Sequence, residues 1–185
     1  MLETPFFGRV MSRNRFQLLW KFLHFSDNTT IDTAADPLAK VKWVLEHLTE
    51  RFRRMFQPSD RIAIDEGMLL WRGRLEFRVY NPSKPTRYGI KSYILCDSRT
   101  GYCHAMQPYV GIGSTVGEIV NNLLGDLLDS GYTLYMDNFY NSVELSSELL
   151  KRKTHTVGTL RRNRGAPSAV NNVEERDLQE GLLYD

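Results

Sequence analysis

Apolar residues recur at helical spacing in two segments near the start of the chain. In residues 11–25 they stand at every third or fourth position, and Ser12 precedes them as a candidate N-cap. A second stripe in residues 38–56 has the same period, and a polar stretch that ends in proline separates the two. The pattern predicts two helices joined by a loop, each with one apolar face turned towards a core.

The pattern changes to strand-like alternation after Pro58. β-Branched residues alternate at the start of RIAIDEGMLLW, and RLEFRVYNPSKP is a second alternating segment, which two prolines end. Residues 90–96 and 101–110 are two further alternating segments, and the turn sequence DSRTG joins them. These four segments predict strands, with a hairpin between the last two.

Helix and strand patterns then alternate along the rest of the chain. The loop GIGSTVGE leads into a leucine-rich helix over residues 115–129, and YTLYMDNFYN begins with a strand. Another helix over residues 142–153 and the strand HTVGTL follow. Antiparallel strands followed by alternating helices and strands indicate a mixed α/β layer. This order is that of a ribonuclease H-like core.

The sequence therefore predicts an α/β fold with three parts. Residues 1–57 are an N-terminal helical segment, and residues 58–160 are a ribonuclease H-like mixed sheet flanked by helices. Residues 161–185 are a polar tail, with little apolar content before Leu182. We expect the core to be incomplete at its C-terminal end.

Composition is ordinary for a globular protein, with 42% hydrophobic and 25% charged residues among 185. No apolar run approaches the ~20 residues that span a bilayer, and the start of the chain lacks a signal-peptide pattern. We therefore expect an intracellular protein that does not act at a membrane. The net charge of +2 indicates no partner, but basic residues cluster locally, as in RFRR, KRK and RRNR. Such clusters either bind phosphates or are solvated surface.

Several other kinds of site receive little support. Cys96 and Cys103 flank the DSRTG turn, so a hairpin would place them opposite each other, as thiols rather than a disulfide in an intracellular protein. No cysteines and histidines have zinc-binding spacing, and no serine stands in a nucleophile elbow. Asp97 is expected to form the hairpin turn and His104 to be structural.

Two aspartates follow predicted strands that would be neighbours. A ribonuclease H-like core has three antiparallel strands before its first helix, and its first and fourth strands lie side by side. Asp65 stands at the end of the first of these, and Asp137 at the end of the strand in the fourth place. Hard divalent cations such as Mg²⁺ bind one or two carboxylates together with waters and phosphates. The pair would suit phosphodiester chemistry. Alternatively, Asp65 simply ends a strand, and Asp137 caps the helix that follows.

Three stretches carry a family resemblance: MSRNRFQLLWKFLHFSDN, IAIDEGMLLWRGRLEFRVYNPSKPTRYGIKSYILCDSRTGY and TLYMDNFYNSVELSSELLKRKTHTVGTLRRNR. With the residues between them they cover about positions 6–165. The chain resembles the transposase domain of the piggyBac family. The combination of IDE, NPSKPTRYGIK and MDNFY makes the resemblance specific.

The resemblance implies a nuclear, metal-dependent DNA transposase with three catalytic aspartates. Asp65 and Asp137 match the first and second of these, and would bind Mg²⁺ or Mn²⁺. Such enzymes cut transposon ends through a hairpin intermediate and join them at TTAA targets, and a homodimer is expected. Basic residues near Asp65 become candidate DNA phosphate contacts, with a solvated surface as the alternative for each: Arg72, Arg74, Lys84, Arg87 and Lys91.

The chain departs from the family pattern at both ends. The third aspartate of the family stands in a tryptophan-containing segment after an inserted region, and residues 161–185 match only the start of that region. A segment before the first stretch and a cysteine-rich zinc module at the other end are also missing. We therefore expect the isolated chain to be inactive and marginally stable. The alternative is a domesticated or relic derivative that binds DNA or protein without cutting.

Overall fold

The computed structural model describes residues 6–111 and 113–165 of the chain. These residues form two compact units, one that ends at Leu48 and one that begins at Thr49. The polar tail predicted over residues 161–185 lies outside the described residues from position 166 onward, as does Ile112 of the GIGSTVGE loop. Within the described residues, no helix combines the length and apolar character that a bilayer crossing requires.

Short helices make up the N-terminal unit. Helix α1 spans Phe6–Val10, and helix α2 spans Arg13–Lys21. The side chain of Ser12 accepts a hydrogen bond from Arg15 N at 3.4 Å, so the predicted N-cap is confirmed. The helix ends earlier than predicted because Phe22 leaves helical geometry and forms the C-cap.

Helix α3 spans Lys42–Met55, and its residues from Thr49 onward belong to the second unit. The sequence predicts a helix over residues 38–56, and the structure confirms it with a later start. Before Lys42 the backbone forms turns instead, because Leu38 N donates to the Asp36 carboxylate at 2.9 Å and Val41 N donates to Leu38 O at 2.8 Å.

The second unit contains one six-stranded mixed sheet. Its strands are β1 (Arg61–Leu70), β2 (Val79–Tyr80), β3 (Tyr88–Asp97), β4 (Cys103–Pro108), β5 (Thr133–Met136) and β6 (His155–Gly158). The strand order is β2-β3-β1-β5-β6, and β4 pairs with β3. β1 is antiparallel to β3 and parallel to β5, and β5 is parallel to β6. The structure confirms a ribonuclease H-like mixed sheet in which the first strand lies beside the strand that precedes Asp137.

Two helices pack on one face of this sheet and form the core with it. Helix α4 spans Val116–Leu124 and helix α5 spans Val143–Lys151. The buried apolar side chains include Ile62, Ile64, Leu95, Leu134 and Met136 of the sheet and Ile119, Val120, Leu123, Leu124, Leu145 and Leu149 of the helices. The α-helix predicted over residues 115–129 ends earlier, because Gly125 has φ +49° and a short 3₁₀ turn follows.

The connection from β1 to β3 contains less strand than the sequence predicts. The alternating segment RLEFRVYNPSKP forms only the two residues of β2. Arg78 N donates to Leu75 O at 3.2 Å and closes a turn before β2, while Asn81 N donates to Arg87 O at 2.8 Å after it. The connection is therefore largely an ordered loop, held at both ends by backbone hydrogen bonds.

The β3–β4 hairpin is fastened by a buried carboxylate. Asp97 is 1% exposed and accepts hydrogen bonds from the backbone N–H and hydroxyl groups of both Ser59 and Thr100. The predicted role of Asp97 in the turn is confirmed. Cys96 and Cys103 are cross-strand partners and are free thiols, also as predicted.

We expect Asp97→Asn to lower the melting temperature at pH 7, because an amide nitrogen would face donors on Ser59 and Thr100. These hydrogen bonds hold the pKa of Asp97 well below its usual value of 3.8. The stabilisation is complete above that value and is lost as the pH falls towards the lower pKa of the folded state. Thermal unfolding at pH 7 and pH 3 should show the difference between variant and parent shrinking in acid.

Asp60→Asn is the matched control for this prediction. Asp60 is exposed and pairs with Arg99 at 3.2 Å and with Arg61 at 3.8 Å, and exposed ion pairs contribute little stability. Its melting temperature should stay close to that of the parent chain. Equal stability of the Asp60 and Asp97 variants at pH 7 would contradict the role assigned to the Asp97 hydrogen bonds.

Candidate functional site

Asp65 lies where the pairing of β1 changes. The parallel pairing with β5 ends at Ile64, which is opposite Met136. The antiparallel pairing with β3 continues to Leu70, so Asp65 lies inside the strand and the expectation that it ends the strand is wrong. The reason is that β3 is longer than β5 and still supplies partners. Asp65 is the first residue of β1 beyond the parallel pairing, and it is exposed.

Asp137 directly follows β5 and is also exposed. Since Ile64 is opposite Met136, Asp65 and Asp137 come at the same level of two adjacent parallel strands. The Asp137 carboxylate accepts a hydrogen bond from Phe139 N at 2.9 Å and forms a turn. The alternative in which Asp137 caps the following helix is wrong, because Ser142 is the N-cap of α5.

A buried tyrosine lies close to both aspartates. Tyr140 is fully buried, and among the described residues its hydroxyl has no hydrogen-bond partner. Burial raises the pKa of Tyr140 far above its ordinary value, and the negative charges of Glu66, Asp65 and Asp137 raise it further. Three carboxylates therefore act on one hydroxyl. Sequence reasoning did not single out Glu66, and its only signal was its place in the segment IDE.

Residues after β6 return to fix the turn that carries Asp137. Arg161 Nε donates to Asn138 Oδ1 at 3.0 Å, and an Arg164 guanidinium nitrogen donates to Phe139 O at 3.5 Å. Asn141 Nδ2 donates to Thr159 O at 3.2 Å from the same turn. Sequence reasoning noted RRNR as a basic cluster and as the end of a stretch that carries the family resemblance. Its contacts with a distant turn could be seen only in the folded chain.

Two of the five candidate DNA-contacting residues lie near the acidic group formed by Asp65, Glu66 and Asp137. Lys84 Nζ pairs with a carboxylate oxygen of Glu66 at 3.3 Å. Lys91 Nζ lies 4.9 Å from the ring centroids of both Tyr93 and Phe139, a geometry that allows cation–π attraction. The lysines thus bring positive charge to the surroundings of Asp65 and Asp137.

The other three candidate residues lie farther along the β1–β3 connection. Arg72, Arg74 and Arg87 are exposed, and among the described residues none of them has a carboxylate partner in an ion pair. Their guanidinium groups are available to an external anion. Their role as DNA contacts stays a prediction.

The donor set at Asp65 and Asp137 fits a hard divalent cation. One oxygen of Asp65 accepts a hydrogen bond from Glu66 N at 2.7 Å, and one oxygen of Asp137 accepts from Phe139 N. Within the described residues, the second oxygen of each carboxylate has no hydrogen-bond donor. Carboxylates with free oxygens are the ligands that hard divalent cations take together with water and phosphate. No group of three histidine, cysteine or acidic residues in the described part of the chain is arranged to hold a metal.

Comparisons with known proteins agree with this geometry. A family model described as Transposase IS4 matches residues 1–183. PiggyBac transposable element-derived proteins 2 and 3 of Homo sapiens are 29% and 26% identical over 166 residues. The alignments cover 84% and 83% of this chain, but 28% of each human protein.

A solved structure shows the same fold. It is the cryo-EM structure of a piggyBac transposase synaptic complex with hairpin DNA, with a TM-score of 0.83 and 32% identity. The match covers 92% of this chain and 38% of that one, so the chain spans well under half the length of the relatives it matches. Because the family model covers almost the whole chain, the chain belongs to the Transposase IS4 family, in its piggyBac-type group.

Proposed function

We propose that this chain is part of the catalytic domain of a DNA transposase that cuts and joins strands with a divalent metal ion. The observation that carries the proposal is the position of Asp65 and Asp137 at the same level of two adjacent parallel strands. Two carboxylates from distant sequence positions are thereby held near each other on a rigid element, as catalytic groups require.

Asp65 and Asp137 are the residues that would hold Mg²⁺ or Mn²⁺. When bound, such ions activate an attacking oxygen and stabilise the leaving oxygen of a phosphodiester. The protein contributes position: strands β1 and β5 fix the two backbones, and Phe139 N engages one oxygen of Asp137 so that the other is left for a ligand. The contact between Arg161 and Asn138 steadies the same turn.

DNA is the substrate that the surrounding charges favour. The two lysines near the acidic group and the three exposed arginines of the β1–β3 connection would neutralise phosphates. The similar solved chain is a piggyBac transposase in a complex with hairpin DNA, which supports transposon ends as the substrate. TTAA targets, a homodimer and a nuclear location belong to the same proposal, and rest on the family alone.

We propose further that the 185-residue chain does not cut DNA by itself. The family pattern includes a third aspartate in a tryptophan-containing segment, and no acidic residue of this chain stands in that context. With two carboxylates, the attacking and leaving oxygens would be poorly aligned. The human relatives, which are described as transposable element-derived proteins, favour a second function, in which a derivative of the transposase binds DNA or protein without cutting.

Strand cleavage distinguishes the two functions. The complete reading frame that contains this chain should nick a TTAA-flanked transposon end in Mg²⁺, and Asp137→Ala should reduce nicking at least about 100-fold, because a metal ligand is lost. Asp60→Ala, an exposed aspartate with surface partners, should leave the rate unchanged. Absence of nicking, or nicking that Asp137→Ala does not change, would exclude the enzyme and favour the binding protein.

Metal binding can be tested on the 185-residue chain itself. Titration with Mn²⁺, followed by electron paramagnetic resonance of the free ion, should reveal one weak site. Asp65→Asn and Asp137→Asn should each weaken binding at least about tenfold, since each removes a charged oxygen donor. Asp60→Asn is again the control. Equal binding by the parent chain and both site variants would place any metal elsewhere.

The DNA contacts can be tested through salt dependence. Affinity for duplex DNA should fall with added salt, and Arg87→Ala should reduce the slope of log K against log salt by about 0.9, because one phosphate contact is lost. Arg99→Ala, which removes an exposed arginine that pairs with Asp60, should leave the slope unchanged. An unchanged slope for the Arg87 variant would assign that arginine to the solvated surface.

A further inference from the structure

Three aromatic side chains are exposed in the β1–β3 connection and at the start of β3. Trp71 is 44% exposed, Tyr80 is 54% exposed and Tyr88 is 47% exposed. Large aromatic groups usually bury most of their surface, and a cluster of exposed ones marks an interaction surface. We call Trp71, Tyr80 and Tyr88 the aromatic platform.

The platform is held in place by Arg78. A guanidinium nitrogen of Arg78 donates to Arg72 O at 3.4 Å and to Gly73 O at 3.3 Å, so it fastens the turn that follows Trp71. The guanidinium carbon lies 5.5 Å from the ring centroid of Tyr88. The rings of Tyr88 and Tyr80 lie 4.6 Å apart with an interplanar angle of 32°. The exposed rings are therefore pre-organised rather than loose.

The indole of Trp71 packs against Gly73. A Cβ atom at Gly73 would lie 2.8 Å from the indole Nε1 of Trp71, which is closer than side chains approach each other. The indole therefore lies directly against the backbone of Gly73. The indole still keeps 44% of its surface exposed, so part of the ring is accessible to a ligand.

The charge around the platform favours an anionic ligand. Residues 69–88 contain five basic side chains and one acidic side chain, Glu76. Lys84 already pairs with Glu66, whereas Arg72, Arg74 and Arg87 are exposed beside the aromatic residues. Proteins bind single-stranded nucleic acid with basic groups along the phosphate backbone and aromatic rings on which the bases stack.

We propose that the aromatic platform binds unpaired bases of a DNA strand whose phosphates contact the neighbouring arginines. This inference rests on the proposed function, in which DNA is the substrate. Base pairs inside a duplex already cover both faces of each base, so rings such as Trp71 can stack only on bases that are unpaired or splayed. Leu69 and Leu70, which are exposed beside Trp71, widen the apolar surface.

Strand β1 carries Asp65, and Trp71 of the platform directly follows its last residue, Leu70. Asp65 and Trp71 are six residues apart, and a strand rises by about 3.3 Å per residue, so they lie about 20 Å apart along the sheet. A DNA strand that reaches both would thus have its reacting phosphate several nucleotides away from the stacked bases. The platform would position the strand and is not part of the chemical step.

The test compares two labelled DNAs by fluorescence anisotropy: a blunt duplex, and the same duplex with an unpaired tail of about ten nucleotides. The parent chain should bind the tailed DNA more tightly. Trp71→Ala should weaken tail binding about 5- to 100-fold while leaving blunt-duplex binding unchanged, and Trp71→Phe should retain most of the gain. Tyr80→Ala provides an independent variant of the same platform.

Trp43→Ala is the matched control, because Trp43 is 63% exposed and belongs to the N-terminal unit. Equal affinity of the parent chain for tailed and blunt DNA would overturn the inference. So would a higher affinity for tailed DNA that neither Trp71→Ala nor Tyr80→Ala reduces. Either result would leave the proposed function unaffected. Failure to bind either DNA would overturn both. If Trp71→Ala alters self-association but not tail binding, the platform is a protein interface and the inference is wrong.

Discussion

The short parallel pairing of β1 with β5 is the interaction on which the rest of the second unit depends. It joins Arg61 to Thr133 at one end and Ile64 to Met136 at the other. A strand that slips by one residue exchanges its two faces, so this register is set by which side chains must be buried. Because both strands bury apolar residues on the same face, only one register suits the core. That register also fixes Asp65 beside Asp137.

The candidate site begins where the apolar part of this pairing ends. Ile62 and Ile64 of β1 and Leu134 and Met136 of β5 are buried under the helices. The residues that follow Ile64 and Met136 are exposed aspartates. Tyr140 belongs to the same buried cluster, and its hydroxyl is close enough to the carboxylates for their charges to raise its pKa. The core therefore holds the acidic residues in place without burying them, and charges that stay accessible can exchange solvent for a cation.

Strand β1 also connects the chemistry with the surface that would hold DNA. It carries Asp65 within its length and passes directly into Trp71 and the arginines of the β1–β3 connection. A long antiparallel partner, β3, supports it beyond the end of β5. Because β3 is long, Asp65 lies inside β1 and not at its end. For the same reason β1 extends to the residue before Trp71 of the aromatic platform.

The sequence alone determined the order of elements, the N-cap at Ser12, the turn residue Asp97 and the two aspartates, because apolar period and turn residues act over a few neighbouring positions. It also identified the family, through the IDE and MDNFY segments. Only the tertiary structure decided where strands end, that Glu66 lies near Tyr140, and that Arg161 holds the turn of Asn138. These features depend on the lengths of the strands that pair with each other and on contacts between residues far apart in the chain. No local pattern of apolar and polar residues encodes such pairings.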